Sequence, residues 1–506
     1  MKALAWILAF FTGFLSLSQE ILWVRLVGFE TGGIPKSFAF VLGLFLFGVA
    51  LGASLGKNAC NRGGSHPLRF AARALLVGGI VDLLLPRVLG ALPNSYLFLI
   101  AVTVLVPFTA ACKAVVFPVA HHLGSTLVSG KLGTSVSRVY FLNIVGSTLG
   151  PIVTGFVLLD SLSFTEVWNL VGLGSLIAAA TIYGYLASGV VPRIAACMAV
   201  VVVAVLVVRT PYDLMARLAD GGPENLAVKI ENRQGVVHAS QGGELGDVVY
   251  GGNIYDGRVN VSLVVNSNRI DRVYLLSLLH PEPRRVLVIG LSGGSWTRVL
   301  SAFPAVDRID VVEINPAYLD LIKGYPDVSP LLDDPRVVVH IDDGRRWLRR
   351  NPGAPYDLVV INATFHWRQY ATSLLSREFM SEVLGRLAPG GILAFNATGS
   401  LDAFRTATEV FPFAARWSNF IYASDHDFRP GLDGTGEPLW RLALDKVPLL
   451  DRSRPADQDA VTTLLKEEFA EYADDETRAG RAGVVVTDAN MVTEFRYGYG
   501  PWRLTR

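Results

Sequence analysis

The sequence has few of the residues that would point to several common classes of protein. Its three cysteines, Cys60, Cys112 and Cys197, all lie in the apolar first 208 residues. The polar remainder therefore offers no disulfide framework and no cysteine-based metal site. An excess of charge is also missing, because 45 Lys and Arg balance 44 Asp and Glu. With no basic stripe either, nucleic acid is excluded as an expected partner.

Long apolar runs dominate the first 208 residues. A membrane-spanning helix needs about 20 mainly apolar residues, and the sequence predicts a multi-span helical bundle with seven candidate spans, at 3–27, 37–56, 70–92, 96–122, 136–159, 167–187 and 191–208. Only Lys2 precedes the first run and further spans follow it, which does not favour a cleavable signal peptide. Small residues four apart predict close helix packing in two spans, at Gly48, Gly52 and Gly56, and at Gly146 and Gly150.

Polar side chains inside these spans allow two interpretations. The residues are Glu20, Arg25, Asp82, Arg87, Lys113 and Asn143. Charges at such depths are costly and usually face a bundle interior or a cavity. They either line a path for a transported or lipid substrate, or they lie near span ends and pair with one another.

The distribution of positive charge creates a conflict about sidedness. With the N-terminus in the cytoplasm, the inner side collects eight cations: Lys2, Lys57, Arg62, Arg69, Arg73, Lys131, Arg138 and Arg193. The outer side receives only Arg25, Lys36 and Arg87, so the positive-inside rule favours this orientation. Seven spans would then place the polar half outside the cell, whereas a domain that uses an intracellular cofactor must be inside.

The polar half divides into four parts by composition and periodicity. Residues 209–226 read as a connector with a short interfacial helix at 212–218, and 227–280 as a small β unit. The β unit has runs of strand character at 228–230, 236–238, 248–250 and 259–265, separated by Gly and Asn turns. Strand and helix patterns then alternate through 281–430, which predicts an α/β Rossmann-like domain. Residues 431–506 are a C-terminal extension.

The segment 285–296 organises the α/β domain. A buried strand ends in a Gly-rich turn, with Gly290, Ser292, Gly293 and Gly294, and a helical pattern follows. Such a turn lets the backbone approach a ligand, and the helix start attracts polar or anionic groups.

Polar residues also end the following strands: Glu313, then Asp342-Asp343-Gly344, then Asn362. Glu313 lies about 20 residues beyond the turn, where an acid accepts hydrogen bonds from ribose hydroxyls, and the Asp pair suits an exocyclic amine or a sugar hydroxyl. The alternative is that an Asp of this pair caps a helix. Because carboxyl ends of parallel strands share one edge, the sequence predicts a nucleoside pocket there.

Four segments resemble the spermidine synthase (polyamine aminopropyltransferase) family, within the class I methyltransferase-like fold. They are 280–290 (HPEPRRVLVIG), 311–315 (VVEIN), Asp342-Asp343-Gly344 and 356–360 (YDLVV), and the resemblance runs from about residue 231 to 399. The fusion to an N-terminal bundle, with 20–25 (EILWVR) and 140–143 (YFLN), resembles bacterial membrane proteins described as spermidine synthase-like. The resemblance implies aminopropyl transfer, with decarboxylated S-adenosylmethionine or S-adenosylmethionine as cofactor.

Three acidic anchors of that family are replaced in this sequence. Gly293 stands where the family has an Asp in the Gly-rich loop, and Asn362 stands where it has the Asp that deprotonates the attacking amine. An ungapped alignment places Asn268-Arg269-Ile270 at the family's Tyr-His-Glu stretch. An amide is no base at neutral pH, so ordinary spermidine synthesis is not expected.

The loop after Asn362 carries further candidate catalytic residues: His366, Arg368 and Tyr370. His366 suits a general base and Arg368 suits a carboxylate or phosphate clamp. The alternative is a lid that packs on the next helix, with Arg368 paired to an acid such as Glu378. Two other polar clusters, 425–427 (DHD) and 487–490 (TDAN), are interpreted as loops.

Three functions remain open from the sequence. The first is a membrane-bound aminopropyltransferase-like enzyme, and the second is an S-adenosylmethionine-dependent methyltransferase. The third is a non-catalytic nucleoside- or polyamine-sensing domain on a transporter-like bundle. Expected partners are the lipid bilayer of the bacterial cytoplasmic membrane and a small-molecule acceptor, an amine or a lipid-associated molecule. A homodimer is compatible with each function.

Overall fold

A computed structural model describes residues 2–93, 95–125, 132–362, 365–369, 371–429, 435–466 and 468–496. Its first part is a bundle of long helices joined by short turns. They are α1 (Lys2–Glu30), α2 (Pro35–Cys60), α3 (His66–Leu89), α4 (Tyr96–Ala114), α5 (Val116–Ser125), α6 (Leu132–Val153), α7 (Leu159–Ser161), α8 (Phe164–Leu186) and α9 (Val190–Arg209). A π-helical stretch, Thr154–Leu158, joins α6 to α7.

Six helical segments are long and apolar enough to cross a membrane. They are Lys2–Glu30, Pro35–Cys60, Tyr96–Gly124, Ser137–Ser161, Phe164–Leu186 and Val190–Val207. The predicted span at 70–92 falls in α3, a helix of 24 residues that is not among the six. The helix carries Arg69, Arg73, Asp82 and Arg87, which lower its hydropathy.

The glycine-bearing faces pack as the spacing predicts. A Cβ on Gly48 would lie 2.3 Å from the carbonyl oxygen of Pro107, and one on Gly52 would lie 2.3 Å from that of Ala111. A Cβ on Gly146 would lie 2.0 Å from the carbonyl oxygen of Phe10. Only glycine permits this backbone approach, so α2 packs directly on α4, and α6 on α1.

The bundle has two distinct ends. We call proximal the end that contacts the polar half, where α1 finishes and α2 begins. The Phe164 N–H at the start of α8 donates to Glu231 there, and Arg87 near the end of α3 donates to the Thr210 carbonyl at 2.8 Å. The distal end carries the N-terminus, the α2–α3 turn and the α8–α9 turn. The chain reverses direction between successive long helical segments, and α4 with α5, and α6 with α7, each form one such segment.

Beyond the bundle, α10 (Leu214–Leu218) leads into a four-stranded antiparallel sheet. Its strands are β1 (Leu226–Asn232), β2 (Gly235–Ser240), β3 (Val248–Gly251) and β4 (Ile254–Arg258), in the order β1-β2-β3-β4. The predicted strand at 259–265 is wrong, because the fourth strand comes earlier and the later stretch is a turn. There, the Ser262 N–H donates to the Asn260 side chain, and the Asn260 N–H donates to Ser295 Oγ. The N–H groups of these two residues therefore bond to side chains rather than to a neighbouring strand.

The α/β domain has one mixed sheet with helices on both faces. Its elements are α11 (Asp271–Tyr274), α12 (Leu276–Leu279), β5 (Arg285–Ile289), α13 (Ser295–Leu300), β6 (Arg308–Glu313), α14 (Ala317–Ile322), β7 (Val337–Ile341), α15 (Gly344–Arg350), β8 (Tyr356–Ile361), α16 (Arg377–Leu384), β9 (Leu387–Asn396), α17 (Leu401–Val410), β10 (Phe413–Trp417) and β11 (Phe420–Ser424). The strand order is β10-β11-β9-β8-β5-β6-β7.

Five neighbouring strands of this sheet, β9, β8, β5, β6 and β7, run parallel, and β11 is antiparallel to β9. This order, with the first strand central and an antiparallel hairpin at one edge, is the Rossmann-like arrangement of the predicted fold class. Apolar clusters fill both faces, one around Val286 and Val288 and the other around Leu287 and Ile289. Alternate residues of β5 therefore serve opposite faces, as expected of a strand buried on both sides.

The C-terminal extension packs on the α/β domain with short elements. They are α18 (Glu437–Trp440), β12 (Ala443–Leu444), β13 (Val447–Pro448), α19 (Pro455–Lys466), α20 (Tyr472–Ala479) and α21 (Val492–Arg496).

Candidate functional site

The carboxyl ends of four parallel strands meet at one edge of the sheet. The Gly290 N–H donates to Val312 O at 2.9 Å, and the Asn362 N–H donates to Ile289 O at 2.8 Å. The Asp342 N–H donates to Glu313 O at 3.1 Å. The ladder thus places Gly290, Glu313, Asp342 and Asn362 side by side, and this edge is where ligands bind in doubly wound sheets.

Glu313 is the most unusual group at this edge. Its side chain is 4% exposed, and its two oxygens accept the N–H groups of Leu291 at 2.7 Å and Asn315 at 2.8 Å. Burial raises the pKa of Glu313 to about 7, with a smaller contribution from the charge of Asp256, while the backbone N–H groups oppose the rise. Among the described residues no Lys or Arg forms an ion pair with it.

The Gly-rich turn is covered by the small β unit. A Cβ on Gly293 would lie 3.2 Å from methyl groups of Val249 and Val259. Ser292 has a left-handed φ of 50° and donates its hydroxyl to the Asp256 carbonyl at 2.6 Å. Position 293, where the resemblance implies an acid, therefore faces two valines, and an Asp there would have to displace them.

The rest of the turn contacts protein in the same way. Gly294 has a φ of 78°, and a Cβ on it would lie 2.9 Å from the Leu331 side chain. At the start of α13, Ser295 donates to Arg258 O and accepts the Asn260 N–H. The part of the turn that borders the strand-end edge is consequently Gly290 and Leu291. Ser292 and Gly293 lie beneath the β unit, and Gly294 packs against Leu331 of the α/β domain.

Both aspartates after β7 make contacts with the start of α15. Asp343 accepts the Arg346 N–H at 2.8 Å and so caps α15, which is the alternative the sequence left open. Asp342 accepts the Asp343 N–H at 2.7 Å and pairs with the guanidinium of Arg346. A Cβ on Gly344 would lie 2.5 Å from Ile289 Cγ2, so this turn packs against the end of β5.

The described part of the loop after Asn362 lies across the same edge. The Phe365 N–H donates to Thr398 Oγ1 at 3.3 Å, and Arg368 donates to the Gly251 carbonyl at 2.9 Å. Arg368 thus ties the loop to the β3–β4 turn. The alternative partner, Glu378, accepts the N–H of Asp488 and pairs with Arg377 instead. Tyr370, a predicted site residue, lies outside the described residues.

His366 is kept neutral by its surroundings. Burial lowers the pKa of His366 below its ordinary value, and a hydrogen bond to the Ala397 backbone and the charge of Asp402 oppose this only in part. A neutral imidazole retains one nitrogen lone pair for a proton. Its position beside the end of β9 is consistent with a base at this edge.

Two residues of the site were missed at the level of sequence. Asp256 on β4 is 7% exposed and accepts the Tyr318 hydroxyl at 2.5 Å. Burial raises the pKa of Tyr318 well above its ordinary value, so the phenol stays protonated and donates. The sequence did not identify Asp256 because it lies in a Tyr-Asp-Gly triplet that reads as a turn. Only the register of β3 and β4 brings its charge close to Glu313.

The helical bundle supports this edge from below at two points. Arg25 on α1 donates to Asn232 O at 2.5 Å, Asn232 Nδ2 donates to Asn315 Oδ1 at 2.7 Å, and the Asn315 N–H reaches Glu313. On the other side, the Gln369 N–H donates to Gly33 O at 3.1 Å.

Apolar contacts strengthen the second of these supports. Trp367, Ile34 and Ile254 form a small apolar cluster, and Phe365 stacks on Trp367 at 5.1 Å between ring centroids. The site edge therefore faces the proximal end of the bundle, and the loop over the edge rests on the α1–α2 turn.

The two remaining polar clusters form ion pairs of their own. Asp425 pairs with His426 at 2.7 Å beyond β11, whose antiparallel direction carries it to the opposite edge of the sheet. Asp488 pairs with Arg345 at 2.6 Å and holds the C-terminal extension to α15. Within the described residues, no group of three or more His, Cys, Asp or Glu could hold a metal ion.

The comparisons with known proteins converge on one family for the α/β domain. The family model "Spermine/spermidine synthase domain" matches residues 273–402. Spermidine synthase of Coffea arabica is 35% identical over 118 residues, which cover 23% of this chain and 37% of that protein. Polyamine aminopropyltransferase of Streptococcus pneumoniae is 33% identical over 124 residues, which cover 24% of this chain and 43% of that protein. The chain thus spans less than half the length of these relatives.

The matches among solved structures include two kinds of protein. Spermidine synthase from Thermotoga maritima is 17% identical with a TM-score of 0.39, over 51% of this chain and 87% of that one. Human methyltransferase-like protein 13, in complex with SAH, is 23% identical with a TM-score of 0.27, over 34% of this chain and 88% of that one. The family match, the local identities and the sheet order together lead to one conclusion: residues 273–402 form a spermine/spermidine synthase domain.

Proposed function

We propose that this chain is a membrane-bound spermidine synthase-like transferase that binds an adenosyl cofactor at the strand-end edge. The observation that carries the proposal is Glu313, a buried carboxylate held only by backbone N–H groups beside Gly290. Each carboxylate oxygen has a further lone pair beyond the one its N–H uses. Those lone pairs suit the two hydroxyls of a ribose, which is the role of an acid at this position of a doubly wound sheet.

The residues present fit an adenosyl group in a second respect. Gly290 has a φ of 91°, and a Cβ on it would lie 2.9 Å from the Asn362 carbonyl. The backbone therefore stays bare where a ligand must approach closely. Glu313 would hold the ribose and Asp342 would accept from the base or sugar. The cofactor supplies a carbon activated by a sulfonium, and this chain's residues supply alignment and proton removal.

We assign to His366 the removal of the proton from the acceptor. Asn362, at the end of β8, has an amide with no useful basicity. His366 carries the only imidazole in the described segment 365–369, and burial keeps it neutral. The general-base role is consistent with its place on the loop that crosses the edge, with Arg368 fixing that loop to Gly251.

Aminopropyl transfer is the first candidate reaction, because the domain match is to that family. Methyl transfer is the second, and a specific observation favours it. Position 293 lacks an acid and faces Val249 and Val259, which removes a partner for the amine of decarboxylated S-adenosylmethionine. It also removes a repulsion against the carboxylate of S-adenosylmethionine.

The protein is proposed to reside in the bacterial cytoplasmic membrane, through the bundle. The acid-poor, cation-rich distal end favours a cytoplasmic location for that end, which would put the α/β domain outside. The use of an adenosyl cofactor requires the domain inside. A reporter fused after Arg506 decides between them, and an exterior domain would contradict the adenosyl cofactor.

The test uses the full chain in lipid nanodiscs. Isothermal titration is carried out with methylthioadenosine, S-adenosylmethionine and decarboxylated S-adenosylmethionine, and we expect micromolar binding of at least the first. Absence of binding by all three would overturn the proposal. Turnover then separates the reactions, because aminopropyl transfer releases methylthioadenosine and methyl transfer releases S-adenosylhomocysteine. Binding without either product, across amine and lipid acceptors, would identify a sensing domain instead.

A further inference from the structure

The distal end of the bundle carries cations without acids. Residues 31–81, which include the α2–α3 turn, contain no Asp or Glu, yet they contain Lys57, Arg62, Arg69 and Arg73. Among the described residues, none of these four cations forms an ion pair. Their positive charge is therefore available to an anion outside the polypeptide.

A cavity of about 290 Å³ lies at this cluster. It is lined by Gly63, Ser65, His66, Arg69, Phe70 and Arg73. The ring of His66 stacks on Phe70 at 6.3 Å between centroids, and Arg62 contacts His66 at 3.4 Å. The cavity thus combines guanidinium groups, a hydroxyl and an imidazole around a space that would hold a group the size of a phosphate diester.

The spacing of the two lining arginines calls for an anion. Arg69 and Arg73 are four residues apart on α3, so they are neighbours on one helix face, and like charges at that spacing repel. A phosphate between them would remove the repulsion. Guanidinium groups bind phosphate oxygens in a bidentate fork, which a simple ammonium does not.

The surface next to the cavity indicates which phosphate compound it takes. Along α3, the face that carries Arg69 and Arg73 continues as exposed apolar side chains: Val77 at 45%, Ile80 at 45% and Leu84 at 55% exposure. A free phosphate has no apolar part that could pack against these side chains. A phospholipid needs both parts, because its headgroup binds cations and its acyl chains lie along apolar side chains.

We propose that the cavity at Arg69 and Arg73 binds the phosphate headgroup of an anionic phospholipid, whose acyl chains run along Val77, Ile80 and Leu84. The cavity is formed by the α2–α3 turn and the first turns of α3, and clusters of Lys and Arg at a membrane surface bind anionic headgroups. The site is separate from the α/β domain, at the opposite end of the bundle, and does not depend on the reaction proposed above.

The experiment compares the full chain in two kinds of nanodisc, of phosphatidylcholine alone and of phosphatidylcholine with phosphatidylglycerol. Native mass spectrometry should show phosphatidylglycerol retained on the protein, and the melting temperature should rise by about 3 °C with that lipid, since a ligand that binds only the folded state raises it. The double variant R69Q/R73Q should lose both signals.

Three further arms make the result decisive. The double variant K57Q/R193Q removes the same charge at the same end but outside the cavity, so it should keep both signals. R69K/R73K keeps the charge and should retain part of the lipid. Tens of millimolar inorganic phosphate, added to phosphatidylcholine discs, should not shift the melting temperature.

Two outcomes would overturn the proposal. Equal loss in K57Q/R193Q and R69Q/R73Q would mean that net charge, rather than this cavity, attracts the lipid. A phosphate-induced rise equal to that of phosphatidylglycerol would mean that the cavity takes a free anion.

Discussion

Two buried carboxylates, one in each half of the molecule, are treated in opposite ways. Asp82 in α3 is 0% exposed and lies 2.7 Å from the ammonium of Lys113, and Gln19 donates to its other oxygen at 2.5 Å. Gln19 also accepts from Lys113 at 2.8 Å, which closes a triad of three helices. Glu313 in the α/β domain is almost as deeply buried, but backbone N–H groups alone contact its oxygens among the described residues.

The difference lies in how the negative charge of each carboxylate is balanced. The charge of Asp82 is neutralised by the ammonium of Lys113, a side chain of the protein. Burial raises the pKa of Glu313 to about 7, and no Lys or Arg of the described residues offsets this rise. Carboxylates with a strongly raised pKa cluster at functional sites, where they contact a ligand. From this comparison we propose that the triad serves packing and that Glu313 serves ligand binding.

Removing one member of the triad should have the largest effect. Lys113→Met leaves Asp82 as an uncompensated buried charge, and we expect a loss of roughly 3 kcal/mol in the free energy of unfolding. Unfolding of the purified full chain by SDS measures it. Lys57→Met, at an exposed position of the distal end, is the matched control and should change little. The double variant Asp82→Leu, Lys113→Met should recover most of the loss, and failure to recover would contradict the paired-charge explanation.

Removing the other carboxylate should affect binding first. Glu313→Ala should weaken methylthioadenosine binding about 100-fold, because a charged acceptor is lost and two N–H groups lose their partner. Titration calorimetry of the full chain gives the affinity. Glu282→Ala, at the start of the loop before β5, is the control and should bind as the native chain does. Equal affinities in Glu313→Ala and the native chain would remove Glu313 from the site.

The raised pKa of Glu313 predicts that ligand binding at the strand-end edge depends on pH. The ionised form of Glu313 is the better acceptor, so affinity for methylthioadenosine should rise about fivefold from pH 6 to pH 8. The stability that Glu313 contributes runs the other way. Its folded pKa lies above the unfolded value of 4.5, so that contribution is fully present below 4.5 and is lost as the pH rises through 7. Glu313→Gln should bind weakly with a flat pH profile, and a profile that kept its slope would point to another group.

The smallest effect should come from the bundle's support of the site. Arg25→Ala removes the hydrogen bond to Asn232 O that starts the path to Glu313, and we expect about a threefold loss of methylthioadenosine affinity. Arg87→Ala is the control, because Arg87 lies at the same end but contacts Thr210. If both variants lost affinity equally, the loss would reflect general loosening of the proximal end.

Local patterns predicted much of the architecture. Apolar runs placed the bundle helices, because span length depends on composition alone, and the glycine spacing predicted which faces pack. The order of strands and their polar ends predicted that Gly290, Glu313, Asp342 and Asn362 share an edge. The prediction failed at 259–265, where β-branched residues follow a strand rather than form one, because the Ser262 N–H donates to the Asn260 side chain instead of to a neighbouring strand.

The sequence by itself determined the division into an apolar bundle and an α/β domain, and the acid at the end of β6. Both follow from composition and short-range periodicity. The tertiary structure alone decided which buried charges are paired. Lys113 reaches Asp82 across 31 residues and Gln19 across 94, and Asn232 reaches Asn315 across 83. Such contacts depend on how the helices and sheets pack, so no local pattern distinguishes the neutralised Asp82 from the unpaired Glu313.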